Sequence, residues 1–197
     1  QNVLQKLENR SKHLIYISST GVYGNFDGQW VTETSETNPQ RPGGQACLEA
    51  ETLIQNSEIA SRSTILRLAG IYGKNRIPHW SAIQNQQWSK LSPHGHVNLI
   101  HVRDAARVVD SVLTQNLSGQ LFLVSDGAPP KRVDFYNYIA EQSGTGPIDW
   151  TVPAEDKSTQ RSSSDKRVSN RKLITMTQYE FLFPDFRSGI ADALGTI

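Results

Sequence analysis

The feature that most constrains the fold of this chain is the alternation of short apolar runs with segments of helical periodicity. The apolar runs have the length and the β-branched and aromatic content of buried strands, whereas the segments between them space their apolar residues three and four apart. Alternating strands and helices predict an α/β fold with a largely parallel sheet. Strands are predicted at residues 14–17, 63–68, 97–102, 121–124 and 179–183, and helices at 46–54, 78–88, 104–113, 133–142 and 187–194.

A glycine-rich segment, ISSTGVYGNFDG at residues 17–28, follows the first predicted strand. A dinucleotide-binding glycine loop leads directly into a helix, whose first N–H groups and dipole hold the pyrophosphate. Residues 25–42 contain turn residues and no helical periodicity, so this segment is not predicted to bind phosphate. Its hydroxyl side chains lie instead at the carboxyl end of a strand, where ligands bind in open α/β sheets. These candidate site residues are Ser18, Ser19 and Thr20.

Composition and charge exclude several classes of function. Hydrophobic residues make up 37% of the 197 residues and charged residues 20%, which is enough apolar material for a packed core. The net charge is +1 and no long run carries one sign, so neither a nucleic-acid partner nor a membrane partner is predicted. No apolar run has the length of a bilayer span. Cys47 is the single cysteine, which is typical of a reducing compartment and predicts a cytoplasmic protein.

Five further stretches, taken with SSTGVYG, resemble one known family. ILRLAGIYG (65–73) is similar to that family's sixth strand and the loop under the nicotinamide, and NLIHVRDAARVV (98–109) is similar to its IHVxDxA segment. LFLVSDGAP (121–129) resembles its next strand and turn, and RVSNRKL (167–173) and FPDFRSGIADAL (183–194) resemble its C-terminal part. In this order they resemble the NAD-dependent epimerase/dehydratase family, in the atypical branch of the extended short-chain dehydrogenase/reductases.

The resemblance implies a fold, a cofactor and a division into domains. The fold would be the C-terminal part of a Rossmann-like, doubly wound parallel sheet with a small α+β substrate-binding portion. Residues 1–126 would form the Rossmann-like part, with an excursion at 74–96 into the substrate lobe, and residues 127–197 would form that lobe. The GxxGxxG half of the fold is expected to precede residue 1. The cofactor would be NAD or NADP, in contact with Ser18, Ser19, Ala69, Gly70 and Ile71.

The family's catalytic groups are only partly present in this sequence. Ser19 matches the hydroxyl that orients the substrate, but Gly43 and Cys47 stand where the family has the Tyr and Lys of YxxxK. Tyr23 is a candidate substitute acid, with packing as the alternative. Two functions therefore stay open. One is an NAD(P)-dependent oxidoreductase acting on a sugar-like or other small hydroxy or carbonyl substrate. The other is a catalytically degenerate protein that binds a dinucleotide or a metabolite.

Charged side chains suggest where a substrate would be held. The family's nucleotide-sugar enzymes carry an Arg where this chain has Val97, so a nucleotide sugar is disfavoured; Lys166 and its neighbours could replace that charge. Arg67, within a predicted strand, is expected to form a structural ion pair. A small-molecule substrate is expected, and a homodimer is one option for assembly. The residues expected to bind substrate are Thr20, Arg76, Arg167 and Asn170.

The remaining polar residues have simpler expected roles. Asp104 is predicted to be the N-cap of a helix, and His101 to pack inside the protein. His94 and His96 have no carboxylate or cysteine at metal-ligand spacing beside them. No metal site is predicted. The serine-rich segment at residues 155–170 is predicted to be a mobile loop.

Overall fold

Among the residues that the structure describes, the central sheet is parallel and three-stranded. The computed structural model describes Lys6 and residues 12–153 and 164–195. The strand order is β1 (Leu14–Ser19), β3 (Ser63–Leu68) and β6 (Leu121–Val124), with Ser19 paired with Leu68 and Leu68 paired with Val124. The predicted α/β class and parallel pairing are confirmed, and the carboxyl ends of these strands lie together at one edge.

Two smaller parallel pairs extend this arrangement. β4 (Gly70–Tyr72) pairs with β5 (Leu99–His101), and β2 (Trp30–Val31) pairs with β7 (Arg167–Val168). The helices with described bounds are α1 (Pro42–Gln55), α2 (Trp80–Gln84), α3 (Val102–Thr114), α4 (Arg132–Gln142), α5 (Arg171–Thr177) and α6 (Phe186–Leu194). Short 3-10 turns occupy Thr20–Val22, Ala60–Arg62 and Trp88–Lys90.

Two helices differ from their predicted bounds by more than two residues. α1 starts at Pro42 rather than at residue 46, because a proline in the first turn has no N–H to lose and a φ already suited to the helix. The helix predicted over 78–88 is limited to α2, which ends at Gln84. The chain then passes through a separate 3-10 turn at Trp88–Lys90.

The prediction that Asp104 caps α3 is wrong. His101 is the N-cap, and its Nδ1 accepts a hydrogen bond from the N–H of Arg103 at 3.3 Å. Asp104 lies inside the first turn and is fully buried, where its carboxylate accepts the N–H groups of Leu182 at 2.8 Å and Phe183 at 3.0 Å. The carboxylate therefore anchors a distant segment of chain, while the packing expected of His101 is confirmed by its burial.

The strand predicted at residues 179–183 is also wrong. That segment has no strand partner among the described residues, because its backbone donors at 182 and 183 and the hydroxyl of Tyr179 bind Asp104. Of the loop predicted at 155–170, residues 155–163 lie outside the described residues. Residues 164–170 include β7 and are partly buried.

The core of the described residues is divided among several apolar clusters. One packs the central sheet against α3 and includes Leu66, Ile100, Val108 and Phe122. Another joins the 74–96 excursion to α4 and α6. Its buried members include Tyr72, Ile83, Leu91, Leu99, Phe135, Tyr136, Ile139, Phe186 and Ile190. The division into domains stays a prediction.

Candidate functional site

A cavity of about 670 Å³ opens at the carboxyl ends of β1 and β3. Ser18, Ser19 and Thr20 line it from the end of β1, and residues 69–71 line it from the end of β3 and the start of β4. Ligands of open α/β sheets bind at this edge, beyond the carboxyl ends of the strands. The structure thus brings the predicted hydroxyls and the predicted cofactor-contacting segment to one cavity.

The turn after β1 holds the Ser19 hydroxyl in place. Ser19 caps the 3-10 turn Thr20–Val22, and its Oγ accepts a hydrogen bond from the N–H of Gly21 at 3.0 Å. A hydroxyl that accepts through a lone pair still has its proton to donate. Ser19 can therefore donate a hydrogen bond to an oxygen of a ligand in the cavity.

A buried ion pair stabilises the carboxyl end of β1, next to Ser19. Arg67 on β3 binds Glu51 on α1 in a bidentate way, with Nε 3.0 Å from Oε1 and Nη2 2.6 Å from Oε2. Ser18 donates its hydroxyl proton to the same carboxylate. The predicted structural ion pair of Arg67 is confirmed. Because both charges are buried, loss of either partner would leave an uncompensated charge.

Tyr23 has its hydroxyl engaged by the same network. Arg67 Nη1 donates to the Tyr23 hydroxyl at 2.6 Å, and that hydroxyl donates its own proton to the carbonyl of Thr32 at 2.8 Å. Burial raises the pKa of Tyr23, although the nearby Arg67 opposes the shift. Since its proton is already bonded, this arrangement favours the packing alternative over the role of substitute acid.

The positions that replace the YxxxK pair lie on α1. Gly43 is exposed in the first turn, and a Cβ built there would meet nothing within 4 Å. Cys47 is half-buried one turn further along, near the hydroxyl of Tyr16. Neither residue lines the cavity. Neither position can therefore supply the proton or the fixed positive charge that the family's pair provides.

Only some of the residues predicted to bind substrate lie at the cavity. Thr20 and Arg76 line it, whereas Arg167 and Asn170 do not. Arg167 donates from Nε to the carbonyl of Gly28 at 2.6 Å and stacks over Trp30, so its guanidinium is held by the segment around β2. Asn170 is buried and donates to the carbonyl of Ser125 at 2.9 Å.

The charge of the cavity lining is positive. Lys166 and Arg132 are 8% and 7% exposed, and neither Asp nor Glu occurs among the lining residues. Burial, together with repulsion by the nearby Arg41 and Arg132, lowers the pKa of Lys166 to about 8, against the attraction of Asp165. An anion in the cavity would relieve this repulsion. The cations that line the cavity are Arg41, Arg76, Lys90, Arg132 and Lys166.

A histidine–aspartate pair at the cavity was not predicted from the sequence. His96 lines the cavity, and its Nδ1 lies 2.8 Å from Oδ1 of Asp165. The partners are 69 residues apart, and Asp165 follows a polar serine run that has no periodicity. No local pattern could have indicated that they meet. Among the residues that the structure describes, no group of three or more His, Cys, Asp or Glu could hold a metal ion.

The fold and the position of the cavity define the class of this protein, and the sequence defines its family. A parallel α/β sheet with its ligand cavity at the strand carboxyl ends is a Rossmann-like arrangement. The sequence profile of the NAD dependent epimerase/dehydratase family matches residues 1–125, which is more than half of the chain, and the chain belongs to this family. The resemblance and the fold class are confirmed, and the nicotinamide cofactor is confirmed as that of the family.

Individual relatives agree with this assignment. The chain is 29% identical to the protein YeeZ of Escherichia coli K12 over 181 residues, which cover 91% of the chain and 61% of YeeZ. A putative NAD-dependent epimerase/dehydratase from Methylobacillus flagellatus is 29% identical, with a TM-score of 0.80 over 99% of this chain and 68% of that one. RMD from Pseudomonas aeruginosa, solved with NADPH, is 19% identical with a TM-score of 0.77 over 98% of this chain and 70% of that one, and shares the fold. The chain therefore spans about three fifths of the length of its curated relative.

Within the described ranges, every helix is too short or too polar to cross a membrane. The cytoplasmic location stays a prediction from the single cysteine.

Proposed function

We propose that this protein is an NAD(P)-dependent oxidoreductase of the epimerase/dehydratase type that acts on a small hydroxy or carbonyl substrate. One observation carries the proposal: the hydroxyls of Ser19 and Thr20 share a cavity with residues 69–71 at the carboxyl edge of the parallel sheet. That edge is where this fold brings a dinucleotide and its substrate together.

The residues at this edge suit a nicotinamide ring. Leu68, Ala69 and Ile71 offer an apolar wall, and the N–H groups of Ala69 and Gly70 are already bonded to Val124 and Asn98. A flat ring can therefore lie on this wall without leaving those donors unsatisfied. When bound, the dinucleotide supplies the hydride chemistry. Ser19 would orient the substrate oxygen, and the wall would exclude water from the reacting face.

The cationic lining favours a substrate with an anionic group. Arg76 and Lys90 can approach a phosphate or a carboxylate without a competing Asp or Glu among the lining residues. Lys166, whose ammonium donates to Ser164 and to the carbonyl of Tyr23, adds buried positive charge nearby. A hydrogen bond between charged partners in a cavity is stronger than one between neutral partners. Substrates of this class would be sugar-like acids, sugar phosphates or hydroxy acids.

Turnover by the protein with NAD or NADP tests this proposal. Binding of each dinucleotide is measured by calorimetry, and nicotinamide absorbance then reports turnover of matched anionic and neutral hydroxy substrates. Ser19→Ala is expected to lower turnover about 100-fold or more, because it removes the hydroxyl that orients the substrate. Ser111→Ala, on α3 and away from the cavity, is the matched control.

Arg76→Met tests the class of substrate in the same assay. It should raise KM for anionic substrates about tenfold or more and leave neutral ones unchanged, because one charge-assisted contact is lost. The proposal fails if neither dinucleotide binds, or if Ser19→Ala and Ser111→Ala behave alike. Binding of a dinucleotide without any turnover would favour the degenerate binding protein instead.

A further inference from the structure

We infer that His96, oriented by Asp165, exchanges the substrate's proton in this cavity. This inference rests on the proposed function and gives it the acid–base group that Gly43 and Cys47 cannot supply. Histidine is the side chain whose charge changes most readily near neutral pH, and it serves as acid or base when one ring nitrogen is held and the other faces a ligand.

The geometry of the pair sets the orientation of the ring. Oδ1 of Asp165 accepts both the backbone N–H of His96 at 3.0 Å and the ring Nδ1 at 2.8 Å. A carboxylate accepts rather than donates, so Nδ1 carries the proton in the neutral ring and Nε2 carries the lone pair. No described residue bonds to Nε2, and His96 lines the cavity together with Ser19.

Two glycines leave space for the pair. A Cβ on Gly28 would lie 3.0 Å from Oδ2 of Asp165, and a Cβ on Gly95 would lie 3.1 Å from its Cγ. Both glycines have positive φ, at +75° and +85°, where other residues are strained. The backbone around the pair is therefore shaped so that the carboxylate can sit against the imidazole.

Further hydrogen bonds keep both residues in position. The N–H of Asp165 donates to Oδ1 of Asn25 at 2.8 Å, and the carbonyl of Asp165 accepts the N–H groups of Phe26 and Gly28 at 2.9 and 3.2 Å. Nε of Arg132 donates to the carbonyl of His96 at 3.3 Å. Groups held in this way lose little orientational freedom when a substrate binds.

The charges that face His96 come from each segment packed around it. Asp165 is the anionic partner. Arg132, at the start of α4, and Lys166, beside Asp165, are the cationic groups next to the pair. The backbone of Lys131 forms a bridge with His96, and His94, two residues before it, is exposed and does not line the cavity.

The proton step balances with the hydride transfer of the proposed function. In the oxidation direction, the bound oxidised dinucleotide would accept the hydrogen and the electron pair of the substrate C–H bond as hydride. The O–H bond breaks, its proton goes to Nε2 of His96, and the electrons of that bond form the C=O double bond. The products are a carbonyl compound, a reduced nicotinamide and an imidazolium ion. Reduction runs the same step in reverse.

NMR of the imidazole nitrogens tests the geometry without reference to activity. The full chain, without ligand and labelled with nitrogen-15, should show neutral His96 as the Nδ1–H tautomer. Asp165→Asn should weaken this preference, because an amide oxygen is a poorer acceptor than a carboxylate. An Nε2–H tautomer at His96 in the parent protein overturns the inference.

The pH dependence of kcat/KM tests the chemical role. In the oxidation direction, we expect an acidic limb that follows the titration of His96 seen by NMR. His96→Gln should abolish this limb and lower kcat/KM about 100-fold or more. His94→Gln, a matched change in the same HGH segment, should alter neither. Asp165→Asn should shift this limb along the pH axis, which a purely structural role would not do.

The outcomes separate this inference from the proposed function. Turnover in the parent protein that keeps its acidic limb in His96→Gln overturns this inference alone. Absence of turnover in the parent protein overturns both. His79 also lines the cavity, with its ring against Tyr136, so a loss confined to His79→Gln would assign the proton step to that residue and overturn the inference.

Discussion

At the scale of single residues, Gly43 and Gly44 are adjacent in the first turn of α1 and have opposite surroundings. Gly43 is exposed and has open space where a Cβ would be. Gly44 is buried, and a Cβ there would lie 2.4 Å from the carbonyl oxygen of Gly21 and 3.0 Å from Cβ of Pro39. Gly44 therefore lets the start of α1 approach the turn that holds Ser19.

Alanine substitutions at these glycines should have opposite effects. Gly43→Ala should raise the free energy of unfolding by about 0.5 kcal/mol, because alanine restricts the unfolded chain and meets no neighbour in the folded one. Gly44→Ala should lower it by about 1–3 kcal/mol and weaken dinucleotide binding, because the Gly21 turn must move. Urea unfolding of both variants measures the difference. Equal effects at both positions would contradict this account.

At the scale of elements, α6 packs against β4 and α3. Its Gly189 lies against the hydroxyl of Tyr72, and Asp192 binds Arg103 at 2.8 Å. Asp185 begins the helix as its N-cap and accepts the N–H of Ser188 at 2.9 Å. The first turn of this helix is therefore capped by one carboxylate oxygen.

Removing that cap should destabilise the protein modestly. Asp185→Ala should lower the free energy of unfolding by about 1 kcal/mol, because the N–H of Ser188 loses its acceptor. Asp185→Asn keeps an oxygen in place and should cost much less. Thermal and urea unfolding of the two variants make the comparison. If Asp185→Asn is as destabilising as Asp185→Ala, charge rather than capping is responsible.

At the scale of the whole molecule, Asp126 connects the end of β6 to β5, and its pKa is raised above the usual range of an aspartate. Its N–H donates to the carbonyl of Leu99 at 2.9 Å, and Oδ2 is buried with no hydrogen-bond partner among the described residues. Burial raises the pKa of Asp126 from 3.8 to about 7, against the opposing hydrogen bond from Ala128. Below about pH 7, the folded chain therefore keeps this carboxyl mainly in its protonated form.

The stability of the protein should reflect this titration. Between about pH 4 and pH 7 the folded chain holds a proton on Asp126 that the unfolded chain has lost, so this group's contribution to stability falls as pH rises. Asp126→Asn cannot ionise. Its stability relative to the parent should therefore increase from about pH 5 to about pH 8 in urea unfolding. Asp110→Asn, at an exposed site on α3, should show no such trend.

The sequence predicted the elements better than it predicted their bounds. Strand 63–68 is confirmed residue for residue, and α4 begins one residue before its predicted start. Asp104 and residues 179–183 were assigned wrongly for a shared reason. Their local signals, an acid at a helix start and an apolar aromatic run, are real, but the buried carboxylate instead binds the backbone that would have formed the strand.

By itself, the sequence determined the α/β class, the parallel sheet and the segment at the end of β1 that carries Ser19, because strand and helix periodicities are local properties of a chain. The tertiary structure alone decided which polar side chains meet. The partners are far apart in the sequence. The separation is 16 residues for Glu51 and Arg67, 69 residues for His96 and Asp165, and 79 residues for Asp104 and Phe183. Such pairs form only when packed elements bring distant segments together, and no spacing along the chain encodes them.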